Sequence, residues 1–366
     1  MNILGIETSC DETAAAVVQD GVETRANLVS SQVAEHADYG GVVPELAARE
    51  HLVNIDYVIQ TALKQSGMSI VDIDGVAVTT HPGLVPALLV GTSYARGIAA
   101  AGALPIVGIN HFLAHIYSCF IHHPFLLEDA ALYPLVALVV SGGHTVIILI
   151  EKEGDAIILG TTLDDAAGEA FDKAARILSL GYPGGPVIEK LAENGDEDYV
   201  RFPRGLTGEG GKPVSDENRF NFSFSGLKTS LLYKVKDRQP DTDEISNLTA
   251  SYQRAIVEVL CRKTFSAAAQ YDAPTVLVCG GVACNGRLQR EFEETAEKKR
   301  QRLIIPPPSL CTDNAVMVAG LGYHYIRYAE SPDTAVTVGA RLGRRFDSLP
   351  FTPATGGSEE KGDSPE

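Results

Sequence analysis

Short apolar runs bounded by glycine and small polar residues punctuate the chain. Ile3–Ile6, Ala14–Val18, Gly75–Thr79 and Pro105–Ile109 mark the first third, and Leu135–Val140, Val146–Ile150, Thr275–Cys279 and Arg302–Ile305 mark the rest. Longer stretches of helical pattern, such as that around Leu46–Leu63, lie between them. Continuous apolar strands separated by helices predict a mostly buried sheet and an α/β protein.

The pattern occurs twice. Ile3 to Cys10 runs into Thr13–Val18 as strand, small polar turn and strand, and Leu138 to His144 runs into Thr145–Leu149 in the same way. Asp74–Thr79 ends at His81-Pro82-Gly83, and its counterpart Thr275–Cys279 ends at Gly280-Gly281. A helical stretch, another apolar strand and a second helix follow each. Two halves with the same element order predict duplicated lobes, 1–132 and 133–346, with a cleft between them. Residues 191–219 depart from the repeat, are rich in Gly, Asp, Glu and Arg, and read as a surface excursion. Residues 347–366 have too little apolar content to build a core, so an acidic, disordered tail is expected there.

A length of 366 residues suits about two domains, and 45% hydrophobic with 21% charged residues is ordinary globular composition. The balance is acidic: 30 Lys and Arg against 47 Asp and Glu, for a formal charge of −17. Such a chain does not meet a polyanion over a broad face, although a local basic patch or a basic partner can receive one. Small basic clusters occur at Lys228, Lys234, Lys236 and Arg238, at Lys298, Lys299, Arg300 and Arg302, and at Arg341, Arg344 and Arg345. The six cysteines are scattered and never spaced CxxC, and Met1–Glu7 lacks the basic segment of a signal peptide. Both features predict reduced thiols and a cytoplasmic protein. The apolar, uncharged stretch Gly97 to Phe120 holds Pro105, Asn110, His111 and His115, so no membrane span is expected.

Three constellations carry candidate chemistry. If Asn110 caps a helix, His111 and His115 share one face at i and i+4, which suits either a metal or two satisfied histidines. Phe112 stands where an HExxH protease needs its glutamate, so metalloprotease is excluded. By the repeat, Asp313 lies where the histidine pair lies in the first half, either as a third ligand or as a helix cap. Next come the glycine turns Val140–Thr145, Gly181–Pro186 and Gly280–Gly286. None fits a P-loop or Rossmann fingerprint, but glycine lets backbone N–H groups approach a phosphate. Last, Asp164 to Lys173 reads as an acid-rich helix start, with Asp164 and Asp165 placed on the helix dipole and Asp172 free to accept a hydroxyl.

Gly5 to Thr13, Tyr39 to Glu45, Asn110 to His115, Val140 to Thr145, Gly168 to Lys173, Ser223 to Thr229, Gly280 to Asn285 and Asp313 to Ala315 together resemble the bacterial TsaD family, the tRNA threonylcarbamoyladenosine transferases. The resemblance is collinear over about residues 1–346. It implies the two-lobed fold of actin, sugar kinases and Hsp70. It implies transfer of a threonylcarbamoyl group from threonylcarbamoyl-AMP to N6 of adenosine 37 in tRNAs reading ANN codons. It places the family's metal ligands on His111, His115 and Asp313, with one divalent metal per chain, iron or zinc. Its substrate contacts fall on Val139, Val140, Ser141, Gly142, Gly143, Asp172, Gly185, Glu189 and Asn285. It further implies a TsaB-like paralogue and a TsaE-like ATPase as partners.

For such a transfer, Asp11 or Glu12 is the candidate acceptor of the N6 proton. A phosphotransferase or ATPase of the same superfamily would display similar glycine turns without needing the His111/His115/Asp313 set. A non-catalytic nucleotide-binding scaffold would have no use for a metal in an open site.

Overall fold

The computed structural model describes residues 1–152, 155–209 and 213–328, together with 336, 338, 345 and 346. The first half runs β1 (Asn2–Glu7), β2 (Glu12–Gln19), β3 (Glu23–Ser31), α1 (Val33–Ala37), α2 (Pro44–Ser66), β4 (Gly75–His81), α3 (Val85–Gly102), β5 (Ile106–Asn110) and α4 (His111–Ser118). The second runs β6 (Leu135–Val140), β7 (Thr145–Lys152), β8 (Asp155–Thr161), α5 (Ala167–Ile177), α6 (Gly184–Ala192), α7 (Ser225–Val235) and α8 (Thr242–Gln270). It continues through β9 (Thr275–Cys279), α9 (Gly286–Lys299), β10 (Arg302–Ile304), α10 (Pro308–Cys311), α11 (Ala315–Tyr328) and β11 (Arg345–Phe346).

Two mixed sheets form, ordered β3-β2-β1-β4-β5 and β10-β9-β6-β7-β8-β11. Apart from the two-residue β11 at its edge, the second sheet repeats the first. In each, the first three strands are antiparallel neighbours and the last two pair in parallel. All eight apolar runs read from the sequence are strands. Of the three strands not foreseen, β3 and β8 occupy equivalent positions and β11 is the two-residue edge. β3 is an edge strand whose sequence, Glu23-Thr24-Arg25-Ala26-Asn27, is polar and largely exposed. Edge strands carry such residues because an apolar edge would invite pairing with another chain.

The strands alternate their side chains between two cores, as period-2 geometry requires. Leu4, Ala15, Val17, Val76 and Val78 face α2 and α3, while Ile3, Ala14, Ala16, Val18 and Ala77 face α4 and α11. In the second sheet, Leu135, Ala137 and Val139 face the same α4 and α11, while Val136, Leu138 and Val140 face α5 to α9. The molecule is therefore five layers deep, with α4 and α11 sandwiched between the sheets. Each of these two helices follows the last strand of its own sheet, and they pack against one another.

Within 191–219, Phe202 is fully buried against Tyr252, edge-on at 5.3 Å between ring centroids. Arg204 gives hydrogen bonds of 2.9 and 2.6 Å to a single Glu258 oxygen. Residues 347–366 lie outside the described residues. Among the described residues no helix is long and apolar enough to cross a membrane.

The acid-rich start read at Asp164 differs from expectation, because α5 begins only at Ala167. Asp164 instead accepts from Phe224 N (2.8 Å) and Ser225 N (3.2 Å), so it supports the start of α7. Asp165 pairs with Lys173 at 2.6 Å.

Close approach of α11 to the first sheet depends on Gly5. A Cβ there would meet the carbonyl of Ala315 and lie 2.7 Å from Ala319 N, both backbone atoms that cannot swing aside. Gly5→Ala is expected to destabilise the protein by about 1–3 kcal/mol through overpacking, measured by urea unfolding. An unchanged midpoint would mean that α11 does not press on β1.

Candidate functional site

The N-terminus of α4 is built by Asn110, whose Oδ1 accepts from Phe112 N (2.8 Å) and Leu113 N (3.2 Å). This cap starts the helix at His111 and puts His111 and His115 on one buried face. Across the central layer, Asn314 caps α11 by accepting from Met317 N at 3.1 Å. Capping therefore falls to Asn314, and the Asp313 carboxylate turns to the histidines. Its Oδ1 lies 3.0 Å from His115 Nε2 and 3.6 Å from His111 Nε2. The three ligand atoms all lie within 4.8 Å of one another.

Behind them stands Glu7, a residue that sequence reasoning left without a role. Its carboxylate is fully buried at the end of β1, 3.1 Å from His111 Nδ1, and accepts from Thr79 Oγ1 (2.6 Å) and Ser9 N (2.5 Å). A carboxylate on Nδ1 fixes the imidazole's tautomer and orientation and leaves Nε2 available as a donor atom. The available signal was an ionisable residue closing an otherwise apolar buried strand.

These groups form a tightly coupled set of charges. Burial alone would push the His111 imidazole down, but Asp313 and Glu7 outweigh it and hold it up at about 9. Burial dominates at His115 and, with the neighbouring His111 charge, keeps it below the usual imidazole range. Glu7 and Asp313 are both held low, since the His111 charge, and for Asp313 also the His115 contact, overcomes the burial that raises them. His115 Nδ1 is buried without a hydrogen-bond partner. Two inward Nε2 atoms, one carboxylate oxygen and a buried carboxylate behind one histidine fit a divalent metal with positions left open for substrate. His144 approaches from the second sheet, its ring 6.4 Å from that of His111 and 4.9 Å from Phe112. Burial, then the His111 charge, pushes it down to about 4.

The substrate-contacting positions expected from sequence lie on the second lobe. Val139 and Val140 are buried on opposite faces of β6, so only their backbone can reach a ligand. Gly280 sits at φ +95°, and a Cβ there would meet the carbonyl of Val140; the turn after β9 is thereby seated against the end of β6. Ser141 and Gly142 accept from Gly168 N and Glu169 N, both at 3.2 Å, tying their turn to the start of α5. Around Gly142, Gly143 and Gly185 no protein atom lies within 4 Å of where a Cβ would stand. Asp172 accepts from Gly184 N and Glu189 from Gly286 N, both at 2.7 Å, so these acids fix the starts of α6 and α9. Asn285 is engaged at both ends, capping Leu288 N at 2.9 Å and donating to Gln253 Oε1 at 2.8 Å.

Asp11 lies in the turn between β1 and β2, and Glu12 opens β2 beside it. Burial, with Asp313 and Asp11 nearby, pushes the Glu12 carboxyl well above its ordinary value. Across the cleft, Tyr182 faces Asp11 and Asp172, and burial with these carboxylates raises its phenol. Arg176 on α5 donates to Tyr39 O (3.1 Å) and to Gly40 O, joining the lobes. Neither residue was foreseen, because each takes its role from a segment that the repeat does not relate to it.

Glu7→Gln keeps the shape but puts an amide N–H where Ser9 N or Thr79 Oγ1 already donates. It is expected to weaken metal binding by roughly 10–100-fold, measured by zinc competition with a chelator. Unchanged affinity would remove Glu7 from the account.

Comparisons with known proteins bear on the family. The family model described as TsaD, tRNA N6-adenosine threonylcarbamoyltransferase, matches residues 23–320. A tRNA N6-adenosine threonylcarbamoyltransferase of Geobacter sulfurreducens is 49% identical over 95% of this chain and 98% of its own. That of Thermosipho africanus is 46% identical over 92% of this chain and 98% of its own. Among solved structures, HypF of T. kodakarensis superposes with a TM-score of 0.58 at 14% identity, covering 89% of this chain and 47% of that one, and bears on the fold alone. With the family model spanning most of its length and relatives matched nearly end to end, the chain belongs to the TsaD family of tRNA N6-adenosine threonylcarbamoyltransferases.

Proposed function

We propose that this chain carries out its family's threonylcarbamoyl transfer to tRNA adenosine N6 in the interlobe cleft, with threonylcarbamoyl-AMP as donor and adenosine 37 of ANN-decoding tRNAs as acceptor. The observation that carries the proposal is the convergence of His111 Nε2, His115 Nε2 and Asp313 Oδ1 at the floor of that cleft. Bound there, one divalent iron or zinc ion supplies Lewis-acid polarisation of the carbamoyl carbonyl.

The remaining work falls to the chain's own groups. The backbone of the Ser141–Gly143 turn, open to solvent and backed by the start of α5, receives the phosphate and stabilises the charge that grows on it as AMP leaves. Val139 and Val140 contribute backbone beside it. Asp172 and Glu189 hold Gly184–Gly185 and the Asn285–Gly286 segment in place, which orients ribose and adenine. As the N6–carbon bond forms and the carbon–oxygen bond to phosphate breaks, the N6 proton passes to the Asp11/Glu12 pair. A carboxyl raised toward neutrality is the better matched base, which favours Glu12.

An ATPase or phosphotransferase on the same fold remains the alternative reading, and the histidine–aspartate set argues against it. The direct experiment incubates metal-loaded chain with threonylcarbamoyl-AMP and an ANN-decoding tRNA, with and without partner proteins, and analyses the nucleosides. Modified adenosine is expected; ATP turnover without modification would favour the alternative. Gly142→Val is expected to fold normally, since no protein atom lies near the new Cβ, yet to lose adenine-nucleotide affinity in calorimetry while retaining metal. Full affinity would leave the turn purely structural.

A cytoplasmic location and TsaB-like and TsaE-like partners complete the proposal. Support for a partner surface lies on the first lobe, where Leu52, Val53 and Tyr57 of α2 and Leu89 of α3 are half or more exposed. Leu52, Leu89, Val90, Tyr94 and Ile98 line an apolar groove of about 700 Å³. Patches of this kind mark interfaces. Tyr57→Glu should weaken binding of the TsaB-like partner by about tenfold or more, read by calorimetry. The isolated chain should bind tRNA weakly at physiological salt, because Arg238, Lys298 and Arg302 are already paired with acids. Tight binding by the chain alone, unchanged by partners, would contradict this.

A further inference from the structure

Two of the six cysteines flank the cleft on segments that carry its functional residues. Cys284 ends the 3-10 turn Gly281–Cys284, directly before Asn285, the cap of α9. Cys311 ends α10, two residues before Asp313. The turn and the short helix pack together. Cys284 Sγ lies 3.7 Å from the carbonyl of Pro308, the first residue of the short helix that ends at Cys311, and Cys311 Sγ lies 3.4 Å from Pro306 O. Cys284 is partly exposed and Cys311 is buried behind it.

We propose that Cys284 and Cys311 form a reversible disulfide under peroxide, which displaces the Asp313 segment and loosens its hold on the metal. The inference rests on the functional reading above for its consequence, but not for its chemistry. The Cys284 sulfur attacks one peroxide oxygen; the O–O bond breaks, a sulfenic acid forms, and the leaving hydroxide takes up a proton to become water. The Cys311 sulfur then attacks Cys284; the S–S bond forms, the S–O bond breaks, and a second water leaves with the Cys311 proton. Two thiols and one peroxide thus give one disulfide and two waters.

The surroundings select Cys284 as the attacking thiol. It is the partly exposed member of the pair, whereas Cys311 is buried and reaches peroxide only through it. Cys10, the other partly exposed thiol, is pushed up by burial and by Asp11, Asp313 and Glu12, which suppresses its thiolate. Cys119, Cys261 and Cys279 are buried. A partly exposed thiol with a buried thiol on the segment packed against it is the arrangement of a redox-sensitive pair.

The test treats the full, zinc-loaded chain with hydrogen peroxide, alkylates it, and maps peptides without reduction. A Cys284–Cys311 linkage lighter by two hydrogens is expected. With it, zinc should pass to a chelator about tenfold faster or more, since small displacements at a ligand have large effects, and dithiothreitol should reverse both changes. Cys284→Ser should neither crosslink nor change its zinc release on treatment. Linkage elsewhere, a sulfinic acid at Cys284 with Cys311 still free, or linkage without faster zinc release would each overturn the proposal. The linkage and zinc readouts need no turnover, so a reduced chain unable to modify tRNA would count against the functional reading alone.

Discussion

Contact between α4 and α11 is the constraint on which the site depends. α4 follows β5 directly and α11 follows β10 by way of α10, yet both enter the layer between the sheets and bury apolar side chains in the core that the two sheets share. The space allows little more than one helix thickness, so small residues sit where backbones meet. A Cβ on Gly320 would lie 2.5 Å from the Tyr117 ring, and one on Gly322 would strike Ala77. That closeness brings the first turns of the two helices face to face. Only then can residues 198 positions apart, His115 and Asp313, come within 3.0 Å. The duplicated topology supplies two equivalent helix starts, and the sequence has made one basic and the other acidic.

The electrostatics of the cleft follow from that juxtaposition. Asp11, Glu12, Asp172 and Asp313 border it and Glu7 is buried behind His111, whose charge is the main local counterweight. Such a lining repels an adenylate phosphate unless a cation is present. Buried charges of one sign without partners are costly, and a divalent ion at the histidines relieves both the cleft and its substrate. The acidic lining therefore favours metal binding independently of ligand geometry. The glycine turns lie farther along the second lobe, where α5 offers its N-terminus.

The strands facing α4 and α11 were legible because both faces are buried, which leaves continuous apolar runs. β3 escaped because a polar edge strand reads like a surface loop, whereas β8, with its apolar run Ala156–Leu159, carried a strand signal that went unread. The histidine pair was legible from its i, i+4 spacing, and Asp313 from its place in the repeat. What spacing could not decide was which residue caps α11; Asn314 does so, and that frees Asp313. Glu7, Tyr182 and Arg176 were not legible, since their roles arise from the packing of distant segments. Asn285 was found as a position, but its double engagement with Leu288 and Gln253 could be read only from the fold. The acids at Asp164 and Asp165 were correctly seen as structural, yet Asp164 serves a helix about sixty residues away.

The central claim is that two imidazoles from one helix and a carboxylate from its counterpart hold a metal at the cleft floor. X-ray absorption on the metal-loaded chain tests it most directly. The account predicts scattering from two imidazoles with the remaining near neighbours all oxygen, reduced to one imidazole in His115→Ala. Sulfur at bonding distance, or a spectrum with no imidazole contribution, would contradict it.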